Sequence, residues 1–416
     1  MDNIIRRRDT CRLCGSRNVE LVLQLAPSPI GDAYVTADKR DVPQPLFPID
    51  LFLCCDCGLA QLLDIIEPKV LYGDYIYVTS SSLGLGDHFH GYAEQVYEAI
   101  HPQPGSLVVD IGSNDGTLLK CFKHLGLRPL GVEPAEHIAR AATASGAQTI
   151  AGFFTPELSR QILAQHGPAT IITANNVFAN VDDLESMTRG IRDLLAPDGV
   201  FVCESYYVAD VVNNMVFDFI YHEHISSFAV TPLNTFFARM GMRLLDVVHV
   251  PTKGGSLRYT VGLAGGPRKP SPAVAAMLEQ ERRTGVCDPR TFKEFSARID
   301  RLREKTCAML AELKAAGRSV AGFGASITAT TLIYHFGIGS FLDYLVDDNP
   351  AKQGRFSPGL HLPVYPAAAL YERKPDAAVI LAWRYAEPII RNHQSYLESG
   401  GRFIVPVPEV KVVTSG

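Results

Sequence analysis

Residues 108–126 read VVDIGSNDGTLLKCFKHLG, and this stretch decides the fold. An apolar run reaches Asp110, a loop carries Gly112 and Gly116, and a helix-forming segment follows. Uninterrupted apolar character is what a strand buried on both faces of a parallel sheet requires. Glycine suits a loop where the backbone turns sharply and a ligand approaches with no Cβ in the way. About 20 residues on, the spacing expected between two such strands, the run PLGVEP ends in Glu133 and Pro134. A carboxylate at that strand end can accept both ribose hydroxyls of an adenosine. Ser113-Asn114 stand in mid-loop, so the G-x-G-x-x-G cradle for a pyrophosphate is missing, which suits a ligand without phosphates.

The D-x-G-x-x-x-G form followed by Glu-Pro resembles the first two motifs of class I methyltransferases. That resemblance implies S-adenosylmethionine (SAM) as cofactor, bound around Asp110, Gly112, Asn114, Asp115, Gly116, Glu133 and Pro134. Apolar runs alternate with helical segments from about 104 to 262 (SLVVDIG, LRPLGVEP, ATIITANN, GVFVCESYY), the pattern of an α/β sheet. The fourth run ends in Ala174-Asn175-Asn176, and strand ends on this face point at the ligand. Asn175 is therefore expected at the methionine end of SAM or at the substrate, with ordinary loop polarity as the alternative. The D/N-P-P-Y signature of amino-methylating nucleic-acid enzymes is absent.

A chain of 416 residues exceeds one ordinary core. The pattern divides it into an N-terminal domain (1–85), the Rossmann-like SAM domain (86–265) and a C-terminal domain (266–416). In the last, a charged stretch over 289–316 predicts one long helix ending at Gly317, after which α/β alternation resumes. There GFGASITATTLIYHF resembles half a Rossmann fold, with Gly322 and Gly324 at the turn and Asp347 further on, but Ile327 takes the third glycine's place and weakens an NAD reading. A net charge of −5 argues against a general polyanion binder. The one dense basic run, Arg6 to Arg8, sits at a terminus expected to be mobile. No run reaches the roughly 18 apolar residues of a bilayer span and no apolar signal core is present, so a cytoplasmic enzyme with no membrane or nucleic-acid partner is expected.

Five of the nine cysteines lie within the first 57 residues. Cys11-x-x-Cys14-Gly and Cys54-x-x-Cys57-Gly are two knuckles, each able to present two thiolates on a tight turn, and together they complete a tetrahedral Zn²⁺ shell. Cys55 is the spare. With four protein ligands such a metal is structural. Unliganded thiols are the alternative.

DFIYHEHISSF at 218–228 brings Tyr221, His222, Glu223 and His224 together. On a helix, Tyr221 and His224 would share a face. A histidine beside a carboxylate suits a general base, and a phenol can donate to a developing oxyanion. H-x-H also admits a metal reading, for which no third ligand is evident, and a polar interdomain contact is the plain alternative.

CRLCG, CCDCGLAQL, VVDIGSNDGTLL, GVEPA, YHEH, PTKGGSLR and DDNPAKQGRFSPG occur in one order along the chain. In this it resembles the SAM-dependent C-methyltransferases of nucleotide-linked 4-keto-deoxysugars, over nearly its whole length. The resemblance implies His224 as the base, with Tyr221 and Glu223 as active-site neighbours. It implies a substrate site at Tyr75, Tyr77, Asn180, Lys253, Ser256 and Arg258, with Ser326, Thr328, Lys352 and Arg355 toward the nucleotide. Trp383-Arg384-Tyr385 could stack on a base. The chain departs from the family's usual pattern at Asn180 (histidine in many members), Lys253 (histidine) and Thr328 (lysine). A zinc-containing methyltransferase of RNA or protein is the alternative, and it needs a basic groove that the acidic balance opposes. No oligomeric state follows from the sequence, which is compatible with a monomer.

Overall fold

The computed structural model describes residues 4–72 and 84–415. Tyr75 and Tyr77 lie outside the described residues. Near the N-terminus, strands Val19–Leu23, Leu51–Cys54 and Ala60–Leu62 form an antiparallel sheet. Its outer strand comes from far along the chain: Ser226 pairs with Gln61 and Ser227 with Ala60. The basic terminus is not the mobile arm that its charge suggested. Ile5–Arg7 pairs with Asp64–Ile66, and Arg6, Arg8 and Arg12 converge on Asp182. Backbone pairing and a shared counter-charge hold it down.

The central sheet has seven strands: β1 Leu107–Ile111, β2 Arg128–Glu133, β3 Thr149–Ala151, β4 Ala169–Asn175, β5 Leu195–Tyr206, β6 Met242–Val250 and β7 Ser256–Leu263. Their order is β6-β7-β5-β4-β1-β2-β3. β1 to β5 run parallel, and β7 is antiparallel to both neighbours. From β1 the chain winds outward through β2 and β3, then returns to build β4 and β5 on the other side. The loops leaving β1 and β4 diverge, and a crevice opens at that switch point. Gly112 and Gly116 have φ near +72° and +77°; a Cβ would lie 2.4 Å from Val177 Cγ2 at the first and 2.3 Å from Ala147 Cβ at the second. Both positions need glycine for conformation and for close packing.

After the sheet come helices Pro272–Thr284 and Pro289–Ala315, the second matching the predicted long helix. Buried Glu281 on the first accepts hydrogen bonds from the Tyr207 hydroxyl, the Val230 and Thr231 amides and the Thr231 hydroxyl. It thereby caps helix Val230–Arg239 from a distant element. Each buried donor left unpaired costs about 1–3 kcal/mol. Glu281→Ala is therefore expected to lower the thermal unfolding midpoint clearly in calorimetry; an unchanged midpoint would contradict this role.

The C-terminal sheet comprises β8 Val320–Phe323, β9 Tyr344–Val346, β10 Val364–Tyr365, β11 Ala377–Ile380, β12 Phe403–Val405 and β13 Lys411–Val413, in the order β10-β9-β8-β11-β12-β13. All pairs are parallel except β12 with β13. Helix Ile327–Phe336 follows β8, capped by the Ser326 hydroxyl. This region docks on the others through Thr330 Oγ1 to Gly31 O (2.9 Å) and Trp383 Nε1 to Asp218 Oδ2 (2.9 Å). Among the described residues no helix is long and apolar enough to cross a membrane.

Candidate active site

A cavity of about 1020 Å³ opens at the switch point, with walls from the N-terminal region, the central sheet and the C-terminal region. On its wall Glu133 terminates β2. Its two oxygens accept from the Asn114 amide (3.0 Å) and the Ala135 amide (2.9 Å), which aims the carboxylate; burial raises its pKa. Asp110, pushed up to about 7 by burial, accepts from Thr173 Oγ1 at 2.6 Å. Gly112, Asn114 and Pro134 line the same wall. Asp115 and Gly116 do not: the Asp115 carboxylate takes the Thr117 amide and hydroxyl, so it shapes the start of the helix.

Ser113 Oγ, both polar atoms of the Asn175 side chain and Asn180 Oδ1 are buried on this wall without a partner among the described residues. Buried polar groups are otherwise almost always paired. A ligand rich in hydroxyl, amino and carboxylate groups would satisfy them, and SAM is such a ligand. Phe153 and Phe154, just beyond β3, add apolar surface that the sequence reading missed. The signal was available, since they follow directly the strand next to β2.

Tyr221, Glu223 and His224 line the same cavity. The segment is a turn and not a helix, closed by the His224 amide on Tyr221 O at 2.8 Å. The turn forms because the chain must next enter the N-terminal sheet as Ser226–Ser227. It still brings the pair together: Tyr221 Oη lies 2.9 Å from His224 Nε2, and the rings stack at 4.0 Å. His224 Nδ1 lies 2.8 Å from Phe219 O. A carbonyl only accepts, so Nδ1 carries the ring proton and Nε2 is left as acceptor. Burial, aided by the Lys253 charge, lowers the His224 pKa to about 3 and keeps the ring neutral. Burial raises Glu223 to about 7, with Asp32 adding to the effect. His222 points away, to Phe47 O at 3.2 Å, so the two histidines do not share a metal.

The remaining candidates separate. Asn180, Lys253, Ser326, Thr328 and Lys352 reach the cavity; Ser256, Arg258 and Arg355 do not. Arg258 is consumed by Glu204 (3.2 Å), Gln95 (2.8 Å) and the Tyr92 ring (4.1 Å). Ser256 bonds Thr252 O at 3.0 Å. Lys352 is ion-paired with Asp32 and lies over the Tyr34 ring at 4.3 Å. Trp383 is buried against Asp218 and is not available for stacking, whereas Tyr385 is 59% exposed on the cavity rim. Arg384, held by both Asp218 oxygens at 3.1 Å, reaches to within 3.4 Å of Thr328 Oγ1.

In the N-terminal region the Cys11, Cys14, Cys54 and Cys57 sulfurs all lie within 4.8 Å of one another, with Cys11–Cys57 and Cys14–Cys54 at 3.5 Å. Tetrahedral zinc at about 2.3 Å from each sulfur requires edges of about 3.8 Å, so the four fit the ion. No other group of three or more His, Cys, Asp or Glu side chains among the described residues could hold a metal.

A switch-point crevice with an aimed carboxylate, unsatisfied polar groups and an acid–base pair defines a SAM-dependent methyltransferase. Three family models match in succession: a zinc binding domain over residues 11–72, a methyltransferase domain over 88–247 and a C-methyltransferase C-terminal domain over 251–408. C-methyltransferase NovU of Streptomyces niveus is 35% identical over 416 residues, covering 100% of this chain and 99% of that one. The chain belongs to this family of C-methyltransferases, with SAM as cofactor and a zinc-binding N-terminal domain. Solved structures with similarity include PH0226 protein from Pyrococcus horikoshii OT3 (12% identity, 47% of this chain and 99% of that chain, TM-score 0.38). Magnesium protoporphyrin IX methyltransferase (ChlM) from Synechocystis PCC 6803 with bound SAH is another (14%, 43% and 83%, TM-score 0.34). The family assignment rests on the full-length relative.

Glu133→Ala is expected to weaken SAM binding by about 10- to 100-fold, the worth of hydrogen bonds to a charged group, with the fold retained. Titration calorimetry measures it, and unchanged affinity would remove Glu133 from the cofactor site.

Proposed function

We propose that the protein methylates carbon 3 of a nucleotide-linked 4-keto-deoxysugar. The observation that carries this reading is the Tyr221–His224 pair, set in a cavity that runs from Glu133 and Asn175 to the start of helix Ile327–Phe336. That cavity is at the upper end of sites for single small molecules, so it has room for a second ligand beside the cofactor. The domains are an N-terminal zinc-binding part (1–85), a SAM part (86–265) and a C-terminal part (266–416) that receives the nucleotide.

A carbonyl at carbon 4 acidifies the hydrogen on carbon 3. His224, neutral and with Nε2 as acceptor, is the base, and Tyr221 lies on its proton path. The C3–H bond breaks, the proton goes to this pair, and the electrons pass to oxygen 4 as an enolate. SAM, when bound, supplies the electrophilic methyl group that carbon 3 accepts. Glu223, raised toward neutrality by burial, holds a sugar hydroxyl. At the outer end Ser326 and Thr328 offer hydroxyls and the backbone amides of a helix start to a diphosphate. Arg384 adds charge there, a part that Arg355 does not take, and Tyr385 supplies the stacking surface. Lys352 supports the wall through Asp32. This reading assigns the reaction to the cytoplasm and its substrate to the small molecules.

The test is mass spectrometry of reactions containing SAM and nucleotide-linked 4-keto-6-deoxysugars beside their 4-hydroxy counterparts. One methyl group gained on the keto compounds alone is expected. Transfer that ignores the keto group, or none across the panel, would overturn the reading.

A further inference from the structure

The hydrogen-bond sense at Tyr221 leaves a chemical gap. With Nδ1 turned to Phe219 O, His224 Nε2 is an acceptor 2.9 Å from Tyr221 Oη, so the base itself competes for the phenol proton that an enolate oxygen would need. Of the cations on the cavity wall, Arg6, Lys352 and Arg384 are ion-paired, and Lys253, on the turn between β6 and β7, has no such partner among the described residues. Its backbone is left-handed, φ 56° and ψ 27°. A non-glycine residue adopts that conformation at a cost and keeps it where its surroundings over-determine it. They do so here: the Gly255 amide bonds Thr252 O, the Tyr207 amide bonds Gly255 O, and Asn214 Nδ2 bonds Gly254 O. A Cβ at Gly255 would lie 2.2 Å from Asp210 Oδ2, so the turn packs closely on Asp210 and needs glycine there.

Among the described residues the Lys253 ammonium has no hydrogen-bond or ion-pair partner. Four charged or titratable groups act on or respond to it: Glu204 on β5, Glu223 and His224 on the catalytic turn, and Arg384 from the C-terminal region. Arg384 is already held by Asp218, and Glu204 by Arg258 and His88. Lys253 is half-buried on the cavity wall, and a cation drawn out of water is costly to leave unpaired unless a ligand supplies the counter-charge. Burial lowers Lys253 to about 8.

We propose that Lys253 is the electrophilic residue of the active site, donating to oxygen 4 of the sugar and holding the enolate that forms when the Tyr221–His224 pair removes the proton. This rests on the 4-keto-sugar reading above. The C3–H electrons end on oxygen 4, and the ammonium keeps its proton throughout.

The experiment follows enolisation alone. A 4-keto nucleotide sugar is incubated with the protein in D2O without SAM, and deuterium entry at carbon 3 is measured by NMR. Lys253→Met is expected to slow exchange by about 10²- to 10³-fold, the range for losing one oxyanion donor, while affinity for the free nucleoside diphosphate and for SAM is unchanged. In the wild type, exchange falls as pH rises through about 8, where the ammonium loses its proton. Lys253→Arg recovers part of the rate and moves that fall to higher pH. Wild-type exchange in Lys253→Met would overturn the proposal. So would lost nucleoside-diphosphate affinity with exchange at saturation intact, which makes Lys253 a diphosphate ligand. A wild-type protein that neither exchanges nor methylates any 4-keto sugar would bring down the substrate reading itself, and this proposal with it.

Discussion

Replacing His224 with alanine is expected to cut turnover by about 10²- to 10⁴-fold, the range supplied by a positioned general base, with SAM affinity preserved. The asymmetry follows from placement. His224 Nε2 is the acceptor left once Nδ1 donates to Phe219 O, and it stacks between Tyr221 at 4.0 Å and Tyr206 at 4.7 Å. Asp110, Glu133 and Asn175, the residues proposed for the cofactor, sit on β1, β2 and β4 and bond none of these rings. Single-turnover rates, with calorimetric SAM binding on the same sample, separate the two effects. Near-wild-type turnover would remove His224 as the base. Loss of SAM affinity would mean that the substitution had disturbed the crevice.

The second large effect is expected from the metal. Structural zinc contributes about 10–16 kcal/mol to the folding of small zinc peptides, and here the organised knuckles do more than close a loop. Arg12 lies between Cys11 and Cys14, and its guanidinium donates to Ile225 O at 3.1 Å, while the Leu62 amide reaches the same oxygen at 2.9 Å. Ser226–Ser227 forms the outer strand of the sheet in which Cys54 ends the strand Leu51–Cys54, and His222 bonds Phe47 O. The turn that carries Tyr221 and His224 is thus anchored on both sides by the zinc-binding region. Removing the metal with a chelator, or Cys54→Ser, is expected to abolish methyl transfer and lower the unfolding temperature, while SAM still binds to the central sheet. Metal analysis with activity and binding on one preparation decides. A protein without stoichiometric zinc that stays folded and fully active would sink the assignment.

The parts that the sequence predicted well are local ones. β1, its loop and its helix are contiguous, so apolar pattern and glycine chemistry are written in one stretch, and Glu133 follows at a regular interval. The cysteine knuckles are legible for the same reason, since each pair sits on one turn. The spacing of Tyr221 and His224 brought them together as predicted, although by a turn: three residues apart is a contact distance in both geometries. Reading stopped where a charge chooses its partner. Arg258, Lys352 and Trp383 look like ligand-binding residues, yet Glu204, Asp32 and Asp218 take them up.

By itself, then, the sequence determined the layout of SAM crevice, zinc knuckles and second α/β region, together with the residue types available for the chemistry. Only the tertiary structure decided which of those side chains face the cavity, that Tyr221 Oη meets His224 Nε2, and that Lys253 has no hydrogen-bond or ion-pair partner among the described residues. The reason is range. Apolar periodicity and turn chemistry act over a few neighbouring residues, whereas an ion pair or hydrogen bond goes to whichever partner lies within about 3–4 Å. Here those partners come from elements as far apart in the chain as Asp32 and Lys352.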